Sequence, residues 1–288
     1  MNFTEHVLNF ACAGEELLGI VTAPEQPKPI GVLITVGGPQ YRVGSHRQFL
    51  LLARALARAG YPVMRFDYRG MGDSTGDLRN FEAVNDDIAA AIDAFRLQCP
   101  NVLKIVLWGL CDAASASLLY WDATQDVRIS GFVLLNPWVR SEATLARTHI
   151  RHYYGQRLME GEFWRKLITG KVGYGRAVSG FVWNLLSARQ SKIEAIVTEA
   201  ALPFQKRMAR GLGRFSGSVL LILSGNDYTA KEFLGIVAND STWLRIFESR
   251  KISRIDLPRA DHTFSTAQWR SDVAQHTTMW LNDLAESL

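Results

Sequence analysis

The stretch Lys104-Ile105-Val106-Leu107-Trp108-Gly109-Leu110-Cys111-Asp112-Ala113 decides how this chain is read. Its first five residues form a short apolar run of strand character, and Ala114 to Tyr120 beyond it has helical character. Only a sharp turn separates the two, and small residues, Gly109 and Ala113, flank it so that backbone can approach backbone closely. The same alternation extends in both directions. Upstream, Ile30 to Val36 reads as a buried strand, Arg47 to Ala59 as a helix stopped by Gly60, Tyr61 to Tyr68 as a strand, and Phe81 to Phe95 as a helix with Phe81, Val84, Ile88, Ile92 and Phe95 on one face. Downstream come strands at Ile129 to Leu135, Ser218 to Ser224 and Ser253 to Leu257, then a closing helix from about Trp269 to Leu284. With an expected hairpin at Glu5 to Thr22, this is the pattern of an α/β fold, a mostly parallel sheet covered by helices.

The alternation breaks at Asn136-Pro137 and resumes at Ser218, which predicts core segments at 1–137 and 215–288 with an insertion at 138–214. The insertion reads as helices with aromatic faces (Phe163, Trp164, Phe181, Trp183) and holds 14 Lys+Arg against 5 Asp+Glu, a balance of +9. Because the whole chain has 32 Lys+Arg and 28 Asp+Glu, the remainder carries 18 against 23, or −5. A basic helical cap on a mildly acidic body is therefore expected. No apolar run reaches the ~18 residues of a spanning helix, and Met1 to Gly14 lacks the charged and apolar regions of a signal peptide, so a cytoplasmic location is the expectation. Cys12, Cys99 and Cys111 are scattered and odd in number, which argues against a disulfide framework and a zinc site; no cofactor or metal is expected.

The turn Gly109-Leu110-Cys111-Asp112-Ala113 resembles the G-x-S-x-G turn of α/β-hydrolases, where a strained backbone exposes the nucleophile. Cys stands in place of Ser and Ala in place of the second Gly. A free cysteine is most often a small buried hydrophobe, but a strand before it, a helix after it and the chain order of its partners favour a nucleophile. Asp227, in the loop Gly225-Asn226-Asp227 after the strand ending at Ser224, is the expected acid, with Asp256 and Asp261 as rivals. Of six histidines only His262 falls between the last strand and the last helix, the place from which such a fold delivers its base. His6 and His276 lie in terminal segments and His149 and His152 in the insertion, while His46 lies where it could line the substrate site. The oxyanion donors are expected from the N–H of Asp112 and from Gly37-Gly38-Pro39-Gln40; Pro39 has no N–H, so Gln40 is the expected second donor, with Gly38 as the alternative and as a substrate-binding position.

Three segments together resemble one family, the α/β-hydrolases associated with the exosortase A system, hydrolase 1 type: Gly37 to Phe49 (GGPQYRVGSHRQF), Arg65 to Ser74 (RFDYRGMGDS) and Trp108 to Ala114 (WGLCDAA). The resemblance covers the catalytic body well and the insertion poorly. It implies a cytoplasmic bacterial enzyme encoded near machinery for exopolysaccharide export and for proteins with a PEP-CTERM signal. A cysteine nucleophile favours acyl transfer through a thioester, to water or another acceptor. The basic insertion suits an anionic acyl carrier such as coenzyme A or acyl-carrier protein. The expected activity is ester or thioester hydrolysis or acyl transfer on a small-molecule acyl substrate. A non-catalytic scaffold of the export machinery is the alternative; nucleic acid is not an expected partner, since the basic residues are dispersed without a reader motif.

Overall fold

The computed structural model of the chain describes residues 2–38, 40–140, 202–248 and 252–287. Two long strands, β1 (Phe3–Cys12) and β2 (Glu15–Pro24), form an antiparallel hairpin turned by Ala13 and Gly14, both at positive φ. Next come β3 (Ile30–Thr35), helix α1 (Gln48–Arg58), β4 (Val63–Phe66), helix α2 (Asn85–Gln98), β5 (Lys104–Leu110), helix α3 (Asp112–Thr124) and β6 (Ile129–Leu135). After residue 203 the order continues with α4 (Phe204–Arg214), β7 (Ser218–Ser224), α5 (Tyr228–Asn239), α6 (Ser241–Glu248), β8 (Ile252–Leu257) and α7 (Ala267–Glu286).

The eight strands form one sheet in the order β1-β2-β4-β3-β5-β6-β7-β8. Pairing is antiparallel from β1 to β4 and parallel from there to β8. Every residue of β3, β4 and β6 is buried, which is why these strands read as unbroken apolar runs, whereas β8, at the edge, alternates half-buried with exposed. The α/β class expected from the sequence is the class found.

Helix α3 sits deepest. Ala113 to Asp122 are all buried between the sheet and α4, and a Cβ on Gly211 of α4 would meet the Leu118 carbonyl oxygen at 2.9 Å, so the two helices meet backbone to backbone. Thr35 of β3 locks the layer by donating to the Trp108 carbonyl (3.0 Å) and sharing a hydrogen bond with Ser117 (3.2 Å).

The chain divides into two compact units, Met1–Val139 with Phe204–Leu288, and Arg140–Pro203. Residues 204–214, grouped by composition with the basic insertion, form α4 in the first unit. α4 buries Met208, Ala209 and Leu212 in the core, and Lys206, Arg207 and Arg210 pair with Asp240, Glu82 and Asp122, acids supplied by distant parts of the chain. The aromatic faces expected at Phe163, Trp164, Phe181 and Trp183, and His149 and His152, lie outside the described residues.

Candidate active site

β5 ends at Leu110 and α3 starts at Asp112, so Cys111 alone makes the corner, at φ 63° and ψ −126°. That backbone region is strained for a residue with a Cβ and persists only where the surroundings impose it. They do: the Cys111 N–H donates to the Leu135 carbonyl (2.8 Å), and its own carbonyl accepts from Ala114 (3.1 Å) and Trp138 (3.2 Å). Gly109 is required by close approach, since a Cβ there would lie 2.6 Å from backbone atoms of Ala113 and Ala114. The half-buried sulfur stands at the N-terminus of α3, where the helix dipole favours negative charge.

His262 lies in the loop between β8 and α7. Its Nδ1 meets Asp227 Oδ2 at 2.9 Å, and the ring's pKa is raised from 6.5 to about 10, first by that hydrogen bond and next by its hydrogen bond with the Cys111 side chain. Asp227 is buried and fixed as the N-cap of α5, accepting from the N–H groups of Thr229 (3.1 Å) and Ala230 (3.2 Å). One carboxylate thus caps a helix and orients a ring. The rivals point elsewhere: Asp256 pairs with Arg254 at 2.9 Å, and Asp261 accepts from the Ser265 N–H (3.0 Å) and hydroxyl. The other thiols, Cys12 and Cys99, are pushed up in pKa chiefly by burial.

Asn136, read from sequence only as a break after β6, is a hub of this arrangement. Fully buried at φ 43°, it donates from Nδ2 to the Ser224 hydroxyl (3.0 Å) and the His262 carbonyl (3.2 Å), and accepts from the Ser224 N–H (2.9 Å). Ser224 in turn donates to the Asp261 carbonyl (2.8 Å). The loops after β6, β7 and β8 are thereby tied together beneath the imidazole. The available signal was an Asn, a residue type that tolerates left-handed backbone, standing between an apolar run and a proline.

The loop after β3 meets the turn through Gly38, whose N–H donates to Asp112 Oδ2 at 2.9 Å. The Gln40 side chain instead accepts from the Ser45 N–H (3.1 Å), inside its own loop. His46, at φ 53° in the single turn Ser45–Arg47, lies near Asp261, next to His262. The loop is clamped from β4: Asp67, fully buried, accepts from the Arg42 N–H (2.7 Å) and guanidinium, and Asp73 pairs with the same guanidinium at 2.5 Å. Among the described residues no group of His, Cys, Asp or Glu could hold a metal ion, and no helix is long and apolar enough to cross a membrane.

No curated protein matches the chain significantly. Solved structures share its fold at low identity. The esterase Pf2001 of Pyrococcus furiosus is 14% identical, covers 98% of this chain and 93% of its own, and superposes with a TM-score of 0.64. A thermostable carboxyl esterase of Bacillus coagulans, in complex with glycerol, is 14% identical with 99% of both chains covered and a TM-score of 0.63. Est1E of Butyrivibrio proteoclasticus, with ferulic acid bound, is 14% identical over 96% and 98% of the chains with a TM-score of 0.61. Residues 29–230, spanning β3 to the start of α5, match the family described as serine aminopeptidase, S33, and the chain belongs to that family of α/β-hydrolases, with cysteine at the turn.

Proposed function

We propose that this hydrolase works through a thioester formed on Cys111, with His262 as proton carrier and Asp227 orienting the imidazole. The observation that carries the reading is the position of His262, hydrogen-bonded through Nδ1 to Asp227 and in contact with the Cys111 side chain. An imidazolium beside a sulfur at a helix N-terminus is the charge arrangement that stabilises a thiolate. In the first step the thiolate attacks a carbonyl carbon, the S–C bond forms and the C=O π pair moves onto oxygen. The oxyanion collapses and expels an alkoxide or thiolate, which takes the proton from His262. Water, an alcohol or an amine then gives its proton to His262, attacks the thioester and releases the acyl group. The N–H groups of Asp112 and Gly38 are the oxyanion donors in this reading; the contact of the loop with the turn through Gly38 supports Gly38 over Gln40.

The substrate is an ester or thioester, carried on an anionic group such as coenzyme A or acyl-carrier protein, which the basic residues between 140 and 203 favour. The resemblance of the Gly37 to Phe49 segment to the exosortase-associated hydrolases supports a cytoplasmic role beside bacterial exopolysaccharide export.

Incubation with acetyl-CoA and with p-nitrophenyl esters, followed by intact-protein mass spectrometry, tests the reading. An acyl adduct is expected on the wild type and none on Cys111→Ala; no adduct across the ester panel refutes it. Iodoacetamide at acidic pH should label Cys111 well before Cys12 and Cys99. Equal slow labelling of all three would favour the non-catalytic scaffold.

A further inference from the structure

The residue after Cys111 carries a carboxylate that meets the loop after β3. Asp112 Oδ2 holds the Gly38 N–H at 2.9 Å, and the N–H groups of Ala113 and of Asp112 itself also act on its charge. Oδ1 is buried without a hydrogen-bond partner, and among the described residues no arginine or lysine pairs with the group. The chain leaves room for it: a Cβ on Gly37 would lie 1.9 Å from Asp112 Oδ1 and 2.8 Å from the Ala113 nitrogen, so glycine at 37 serves both the carboxylate and the close approach of the turn's backbone.

We propose that Asp112 is a built-in occupant of the oxyanion hole: its ionised carboxylate blocks the Gly38 N–H against a substrate's carbonyl oxygen, and only the neutral acid leaves the hole competent. The inference rests on the acyl-enzyme reading of Cys111. Two negative oxygens cannot share one N–H donor in a desolvated site, and a carboxylate beside a developing oxyanion repels it by the same Coulomb term that makes the hole work. Protonated, Asp112 no longer competes as an anion and its O–H becomes a donor to the oxyanion, the role that a neutral aspartic acid plays in ketosteroid isomerase. The groups that face it are Cys111 from the turn, His262 from the loop after β8, whose positive charge stabilises the anion, and the buried hydroxyl of Tyr68 at the end of β4, itself pushed up by burial and by Asp112. Burial raises the Asp112 pKa above its ordinary value, which brings the neutral acid toward working pH.

Two rates on the same sulfur separate this proposal from the one it rests on. Alkylation of Cys111 by iodoacetamide needs the thiolate but no oxyanion donor; acylation by p-nitrophenyl acetate, read as the burst of nitrophenolate, needs both. The ratio of acylation to alkylation rate therefore reports the hole alone. As pH rises and the Asp112 carboxyl ionises, the wild-type ratio is expected to fall. In Asp112→Asn and Asp112→Ala it is expected to be flat and at least about tenfold higher where the wild-type carboxyl is ionised, part of the ~10²–10³ that one oxyanion donor is worth. A flat wild-type ratio, or a ratio lowered at every pH in both variants, overturns the proposal. Unselective alkylation of Cys111 in the wild type instead removes the acyl-enzyme reading, whereas normal alkylation in the variants shows that they are folded.

Discussion

At the scale of single residues, sulfur in place of the family's serine changes what His262 has to do. With a pKa of about 10, raised first by the Asp227 hydrogen bond that a serine at position 111 would leave in place, the imidazole of the free enzyme holds its proton at neutral pH and is a poor base toward a serine hydroxyl. Cys111→Ser should therefore lower the p-nitrophenyl acetate burst rate by at least about a hundredfold, the lower bound of general-base catalysis, although serine is the residue the family name carries; retention of most of the rate would mean that His262 acts as a free base. The hydrogen bond to Asp227 is the largest cause of the raised pKa. In Asp227→Asn the His262 pKa, followed by NMR of the ring protons, should drop from about 10 toward 6.5. The sign for stability follows. A folded pKa above the unfolded one contributes stability fully below about pH 6.5 that is lost as pH rises through about 10, so the urea midpoint of the wild type should decline across that window more than that of Asp227→Asn. Asp227→Ala should lose about 1 kcal/mol more than Asp227→Asn, because alanine also uncaps α5.

At the scale of elements, the two signature segments hold each other. Arg42, within Gly37 to Phe49, binds Asp67 and Asp73, both within Arg65 to Ser74, and through them the loop that carries Gly38 is anchored to the end of β4. Asp67 is fully buried, so removal of its cation leaves an uncompensated carboxylate. Arg42→Ala should cost about 3–5 kcal/mol in urea unfolding; a cost below about 1 kcal/mol would put the pair among surface ion pairs. Much of this level was legible. β5, β6 and β7 read correctly because burial on both faces leaves unbroken apolar runs; Cys111 and Asp227 stood out because each follows such a strand, and His262 because it lies between the last strand and the last helix. The contact of the Gly38 N–H with Asp112 was not legible, since it depends on the backbone angle at Gly38, φ 61°, and no side chain records which N–H turns toward a neighbour. Asn136 was missed for a related reason: its partners Ser224 and His262 lie 88 and 126 residues away.

At the scale of the whole molecule, the parallel strands β5, β6, β7 and β8 all end on the same side of the sheet, so the loops that carry residues 111, 227 and 262 meet without any one segment having to bend far. Charge is distributed on the same scale, and sequence order misreads part of it. Lys206, Arg207 and Arg210 count as basic in a window along the chain but are paired with acids of the core unit. What remains basic is the segment 140–203, with ten Lys+Arg against five Asp+Glu. If this unit attracts an anionic acyl carrier by its charge, the effect must weaken as the Debye length shrinks from ~30 Å at 0.01 M salt to ~8 Å at 0.15 M. A neutral ester gives the control, since salt effects on the sulfur, the imidazole and the oxyanion hole act on it equally. Over that range kcat/KM for acetyl-CoA should fall several-fold relative to that for p-nitrophenyl acetate, and reversal of three or four of the arginines in 140–203 to glutamate should abolish the difference. Parallel salt curves for the two substrates would show that the segment does not select for charge, leaving acyl-CoA favoured, if at all, by contacts with its thioester end.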